Sequence, residues 1–385
     1  ARIRSVENGL KALTGRQGWL ADPASFERKR AEDAALRSAV KADPAKEAKY
    51  APAWDAIARA VAAERRLAPR YQLEEQGQGF GSDLFGIARG LVRAAAERPK
   101  PSTERLREYT DARLPAARQS LLRDAPISRP LERTTLTVGL RWLRDTLGPD
   151  DPYVQAVLGK QSPEDLAREV VDGSHLDEVK VREGLWDGGQ AAIAASTDPM
   201  IALARRADPD ARAVRKAVED EVESVLAKNG ELLHQAHVAV HGTSGYPDGT
   251  LTLRLSYGTI AGWKEAGHPI QAMTFLSGLY ARDTGKYPFA VAPSWIRARP
   301  RLEATMPFDM TSTHDIIGGN SGSPMINRHG EVVGLIFDGN IPSLGGDYGY
   351  EGATNRAVAL HGRAILEGLE KVYGAGRLVK EIQSR

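Results

Sequence analysis

The residues whose types and spacing could do chemistry lie together at Gly319-Asn320-Ser321-Gly322-Ser323-Pro324. A small hydroxyl residue flanked by glycines lets the backbone turn sharply, and such a turn can aim its N–H groups at one point in space. Ser321 is therefore a candidate acyl-transfer nucleophile, with the N–H groups of Gly319 and Ser321 as its oxyanion hole and Ser323 as the next hydroxyl to consider. Met325-Ile326, an Asn327–Gly330 turn and the apolar run Val332–Phe337 follow, which predicts a β-hairpin. A Gly-x-Ser-x-Gly elbow needs a helix after the serine. Here a strand follows instead.

That β context resembles the chymotrypsin-type double barrel, in which the nucleophile belongs to the second barrel while the histidine and aspartate come from the first. Upstream of Ser321 stand His175, His234, His237, His241, His268 and His314, none in a setting that follows a barrel strand. His314 reads as a loop histidine. The expectation is that this chain lacks its general base, so that Ser321 here is a neutral hydroxyl of high pKa and the chain alone is inactive.

The elements that must position the motif divide by period. Residues 1–230 read as alanine-, arginine- and glutamate-rich helices near 2–14, 24–41, 45–68, 79–97, 102–123, 133–147, 163–171 and 209–228. In the last, Val214, Val218, Val222 and Val225 form an apolar stripe, and Asp208-Pro209 reads as its cap and first turn. Leu84, Ile87, Ala88, Leu91 and Val92 mark another buried helix face. From about residue 235, Ala236, Val238 and Val240, then Leu251, Leu253 and Leu255, alternate with polar or small residues at strand spacing, around a turn at Gly242–Gly249. A final amphipathic helix near 359–373 begins at His361, read as a cap or surface residue rather than a ligand. The predicted fold is α+β: an α-helical domain, 1–233, capping the active-site cleft, then 234–385 as one chymotrypsin-like antiparallel β-barrel, the second half of a double barrel, with a C-terminal helix.

Composition narrows the function. In 385 residues, 52 basic against 50 acidic side chains leave a net charge of +2, no field that would favour nucleic acid as main partner. Absence of cysteine excludes disulfides, thiol catalysis and thiolate metal sites. No apolar run is long enough for a membrane span, and no signal-like N-terminus is seen; an upstream segment is expected to have been removed. His234, His237 and His241 imitate a metal group, but on a strand His237 and His241 would lie about 13 Å apart, too far for one ion. The glycines at 318, 319, 322, 345 and 346 lack the Lys-Ser/Thr of a phosphate loop. No metal and no cofactor are expected.

Glu7-Asn8-Gly9-Leu10-Lys11, Leu147–Pro152, Asp198-Pro199-Met200, Tyr246-Pro247-Asp248 with Leu253–Gly258, and Asp315 through Asn340 together carry a resemblance. The chain resembles the later part of the bacterial serine dipeptidyl-peptidases of the dipeptidyl-peptidase 7 and 11 family, end to end. The resemblance implies a serine exopeptidase that releases dipeptides from peptides with a free N-terminus, periplasmic or outer-surface associated in a Gram-negative bacterium, and homodimeric. It implies that the catalytic His and Asp lie in an N-terminal part of the same protein absent from this sequence. Asp338 corresponds to the carboxylate that holds the substrate α-ammonium, and Asn8 to an asparagine that assists it. Gly339 stands where the acidic-specific branch has arginine, which implies a pocket for an apolar or aromatic P1 residue. His314 stands where the family often has asparagine. A double-barrel endopeptidase and a non-catalytic peptide-binding scaffold remain as alternatives.

Overall fold

The computed structural model describes residues 2–243 and 253–384. Contacts divide the chain into two compact units, Leu36–Gly242 and Ala1–Ala35 with Thr243–Arg385. The chain opens with α1 (Arg2–Leu20) and α2 (Pro23–Lys41). It continues through α3 (Pro44–Arg70), α4 (Asp83–Glu97), α5 (Leu114–Leu122), α6 (Arg129–Leu147), α7 (Pro152–Leu158), α8 (Pro163–Gly173), α9 (Val179–Ala195), α10 (Pro199–Val218) and α11 (Ser224–His241).

From the end of α2 to α11 these helices form the first unit. The apolar stripe of α4 is buried as its spacing requires: Leu84, Ala88 and Leu91 pack with Leu136, Leu140 and Leu143 of α6 and with Met200, Ile201 and Ala204 of α10. Asp208-Pro209 is not a cap. Asp198 is, accepting from the Met200 and Ile201 N–H groups at 2.9 and 3.3 Å with Pro199 in the first turn, and Pro209 lies inside α10. The Asp208 carboxylate is buried and committed to Arg93 and Arg212, while Arg93 also makes a two-point bond to Glu75 at 2.8 and 2.6 Å. Those carboxylates hold the Arg93 guanidinium charged more firmly than usual, against its burial.

Two expectations fail at the end of this unit. Residues 236–240 are helix, not strand: Ala236 is buried and packs with Leu232, Leu233 and Val240 against Tyr50 and Trp54 of α3. Helical spacing also brings the His237 and His241 rings to 4.6 Å, in place of the 13 Å of a strand. Among the described residues no group of three or more potential ligands gathers to hold a metal ion. The turn expected at Gly242–Gly249 and the strand expected from Leu251 fall largely on residues 244–252, outside the described residues. Leu253 and Leu255 are described, and they are exposed in non-strand chain.

The second unit carries the sheet. Strands β1 (Trp263–Glu265) and β2 (His268–Ile270) form a separate hairpin. β3 (Met273–Phe275), β4 (Pro307–Ser312), β5 (Pro324–Ile326), β6 (Val332–Gly339) and β7 (Ala357–His361) form an antiparallel sheet of order β3-β4-β7-β6-β5. Its outer strands β3 and β5 do not pair, so the sheet is open and not the expected barrel. The alternating Leu251–Ser256 run that could have supplied a further strand supplies none among the described residues. A small core of Met310, Met325, Ile336, Ala357 and Ala359 lies on this sheet. Helices α12 (Leu276–Ala281), α13 (Pro293–Ala298), α14 (Gly362–Glu367) and α15 (Gly376–Gln383) complete the unit. His361 does cap α14, accepting the Arg363 N–H at 3.1 Å, but 357–361 is β7, so the helix begins three residues later than expected.

α1 belongs to this sheet-bearing unit, whereas the helical pattern of the sequence assigns residues 1–35 to the helical domain. A Cβ at Gly15 would lie 2.5 Å from the Leu344 Cβ, so only glycine lets the helix approach the 341–345 turn this closely. Trp19 stacks on Tyr348 at 5.1 Å, and Arg16 pairs with Asp347 at 2.7 Å.

Candidate active site

The serine loop is fixed from both sides. Gly322 donates to the Ile336 carbonyl at 2.7 Å and Ile336 donates to Ser323 O at 3.0 Å, which ties the loop to β6. Asn320 closes the preceding turn, its Oδ1 accepting the Ile317 N–H at 3.1 Å and its own N–H bonding Ile317 O at 3.1 Å. Gly319 and Gly322 take φ of 106° and 88°, the left-handed region that a side chain would strain. The amides of Asn320, Gly322 and Ser323 each meet a backbone carbonyl, whereas those of Gly319 and Ser321 meet none among the described residues.

The Ser321 side chain is exposed, and among the described residues its Oγ makes only a long 3.4 Å contact to Phe337 O. Among the described residues no imidazole bonds it. His314, seven residues earlier, is half-buried with Nδ1 2.8 Å from Ser312 Oγ, and burial lowers its pKa. That makes it a structural side chain at the end of β4.

Ser321 opens onto a cleft of about 310 Å³. Asn8, Ala12 and Arg16, spaced four apart on one face of α1, form one wall. The end of β6, Ile336 to Gly339, forms another, and Ile316, Ile317 and Leu344 add apolar surface. The cleft thus brings together Asn8, Ser321, Asp338 and Gly339 of the sequence-based set; Gly319 lies beside its lining. A wider depression of about 600 Å³ beside β1 and β2 holds none of them, and its Arg356 is spent on the carbonyls of Gly262, Gly352 and Asn355.

The Asp338 carboxylate is partly open to water: the side chain is 38% exposed, with Oδ1 accepting the Gly339 N–H at 2.8 Å and Oδ2 bonded to the Lys11 ammonium. Gly339 pairs with Ala357 at the end of β6 without a positive φ. A Cβ there would fall 2.1 Å from Ser343 Oγ, which donates to Asn340 O at 2.7 Å, so any side chain at this position makes Ser343 turn away. Lys11, Arg16 and Asp347 went unassigned in the sequence. The four-residue spacing from Asn8 to Arg16 could have flagged Arg16, but nothing local joins Lys11 to a carboxylate 327 positions away.

The family model described as Peptidase S46 matches residues 1–384. Among curated proteins, Dipeptidyl-peptidase 7 of Phocaeicola vulgatus is 30% identical over 203 residues, 48% of this chain and 27% of its own length. An Asp/Glu-specific dipeptidyl-peptidase of Shewanella putrefaciens is 26% identical over 344 residues, 78% of this chain and 46% of its own. The crystal structure of Porphyromonas endodontalis DPP11 in complex with the dipeptide Arg-Glu matches with a TM-score of 0.76 at 23% identity, covering 98% of this chain and 55% of that one. The chain spans about half the length, or less, of these proteins.

Proposed function

The chain belongs to the peptidase S46 family, and on that premise we propose that it carries the nucleophile and the N-terminus anchor of a serine dipeptidyl-peptidase. Ser321 attacks the carbonyl of the second residue of a peptide, and the N–H groups of Gly319 and Ser321 hold the oxyanion. The histidine that takes the Ser321 proton, and the aspartate that orients it, come from sequence outside this chain. The open sheet is then the second barrel's share of a longer peptidase domain. Its exposed Val332 and Leu335 give that missing part an apolar surface to cover.

Asp338 accepts the substrate α-ammonium with Asn8 beside it, and the fixed separation from Ser321 measures off two residues. Gly339 and the apolar side chains of Ile316, Ile317, Phe337 and Leu344 favour an apolar or aromatic P1 residue. The observation that carries this reading is that one cleft is lined by both the exposed serine and a carboxylate. An endopeptidase has no use for such an anchor. The same reading makes the protein a periplasmic or outer-surface homodimer, which cell fractionation and sedimentation test.

The direct test is release of a chromogenic dipeptide by the complete protein and by its Ser321→Ala variant. Turnover should vanish with the fold intact, because the exposed hydroxyl contributes little packing. A burst of acyl-enzyme in that variant would move the nucleophile elsewhere, with Ser323 next in line.

A further inference from the structure

Asp338 already holds an ammonium. Lys11 reaches it from α1, one turn beyond Asn8, and the Gly339 N–H takes the other carboxylate oxygen. We infer that Lys11 is a resident counter-ion that the substrate's α-ammonium must displace, so that Lys11 sets the affinity of the cleft for a free N-terminus. The inference rests on the reading of Asp338 as the anchor of that ammonium.

The chemistry of the exchange is like for like: one primary ammonium leaves a carboxylate and another arrives, with no change in net charge at the site. Both partners are open to water, the side chains being 33% and 38% exposed, and a solvated pair of this kind is weak enough to be exchanged. A buried pair would resist. Lysine suits the task because its charge is a point on a flexible stem, where arginine would grip the carboxylate with a two-point fork. On leaving Asp338, Lys11 has Glu7 four residues before it on its own helix, a carboxylate whose Oε2 accepts the Tyr287 hydroxyl and whose other oxygen carries no bond among the described residues. After the reaction Lys11 reclaims Asp338 and assists departure of the product dipeptide, whose ammonium held the same place.

The test uses the complete protein and substrates of one dipeptide, free and N-acetylated. Lys11→Met should lower KM for the free substrate roughly two- to fivefold and tighten inhibition by the product dipeptide by a similar factor, while leaving the acetylated substrate unchanged. Lys11→Arg should move KM the other way. A lysine that merely positions Asp338 or holds α1 would give a higher KM in Lys11→Met, and that result, or no change, overturns the inference. Asp338→Asn separates the two layers. If it leaves the preference for the free amine intact, the anchor reading itself falls; if it erases the preference while Lys11→Met does nothing, only the counter-ion role is lost.

Discussion

Replacing Asp338 by alanine should injure recognition of the substrate amine and little else. A hydrogen bond to a charged group contributes about 1.5–3 kcal/mol. Asp338 is more than one-third exposed, so solvent screens it and the lower end applies, about 1.5 kcal/mol or roughly tenfold in kcat/KM. A second effect has the same sign. Without Asp338, the Lys11 ammonium beside the cleft loses the carboxylate that offsets it in the resting protein, and repels the incoming cation. The loss for a free dipeptide substrate should therefore be between about ten- and a hundredfold, and the double variant Asp338→Ala/Lys11→Met should recover part of it. An N-acylated version of the same substrate, poor for both proteins, should change less than about threefold, the Gly339 N–H being the only backbone group among the described residues to lose a partner. The assay is kcat/KM for the two substrates, with thermal unfolding of each variant. Equal losses on both substrates would refute the reasoning and make Asp338 a support of the β6 turn.

Gly339→Arg should raise the ratio of kcat/KM for acidic over apolar P1 substrates, by pairing charges and filling space; its Cβ forces Ser343 to turn from Asn340 O, so Gly339→Arg/Ser343→Ala should show the same shift with a smaller stability cost. No rise in that ratio in a folded variant would remove Gly339 as the P1 selector. In the helical unit, burial raises the pKa of Glu74 to about 6, Arg70 and its own hydrogen bond opposing but not cancelling the shift. A raised carboxyl pKa means that the folded state binds the proton more tightly. The stabilisation is therefore complete below the ordinary value near 4.5 and is lost as pH rises through about 6. Glu74→Gln should thus flatten the pH dependence of stability between pH 4.5 and 6.5 by on the order of 1–2 kcal/mol in urea melts; an unaltered slope would count against it.

What could be read in advance was local. The serine loop and the β5–β6 hairpin are specified by residues within a short span, with Asn320 and Asn327 closing turns through their own side chains. The α4 face was legible because one apolar stripe met one core. Where the reading failed, two periods coincided: Ala236, Val238 and Val240 alternate, but Leu232, Ala236 and Val240 are also four apart, and packing on α3 decided for helix. α7 was missed because it is only seven residues long, and α9 because glycines 184, 188 and 189 break its pattern. Asp208-Pro209 and Asp198-Pro199 offer the same local cap, and only the buried Arg93 and the partly buried Arg212 decide which carboxylate is free to do it.

The cleft wall needed information of another kind. α1 has a sequence as rich in charge as its neighbours, and nothing in its periodicity separates it from the helical unit. What holds it to the sheet-bearing unit is a set of close approaches: Gly15 against Leu344, Trp19 against Gly345 and Tyr348, and two ion pairs across more than 320 residues. Each glycine there is an ordinary turn or helix residue when seen alone, and becomes legible only when the missing Cβ is placed against its partner. The same approaches set Asn8, Lys11 and Arg16 facing the end of β6. The affinity of the cleft for a peptide N-terminus is therefore governed by how firmly a helix is seated as well as by the loop that carries Ser321, which is why a change at Gly15 should be felt first in KM.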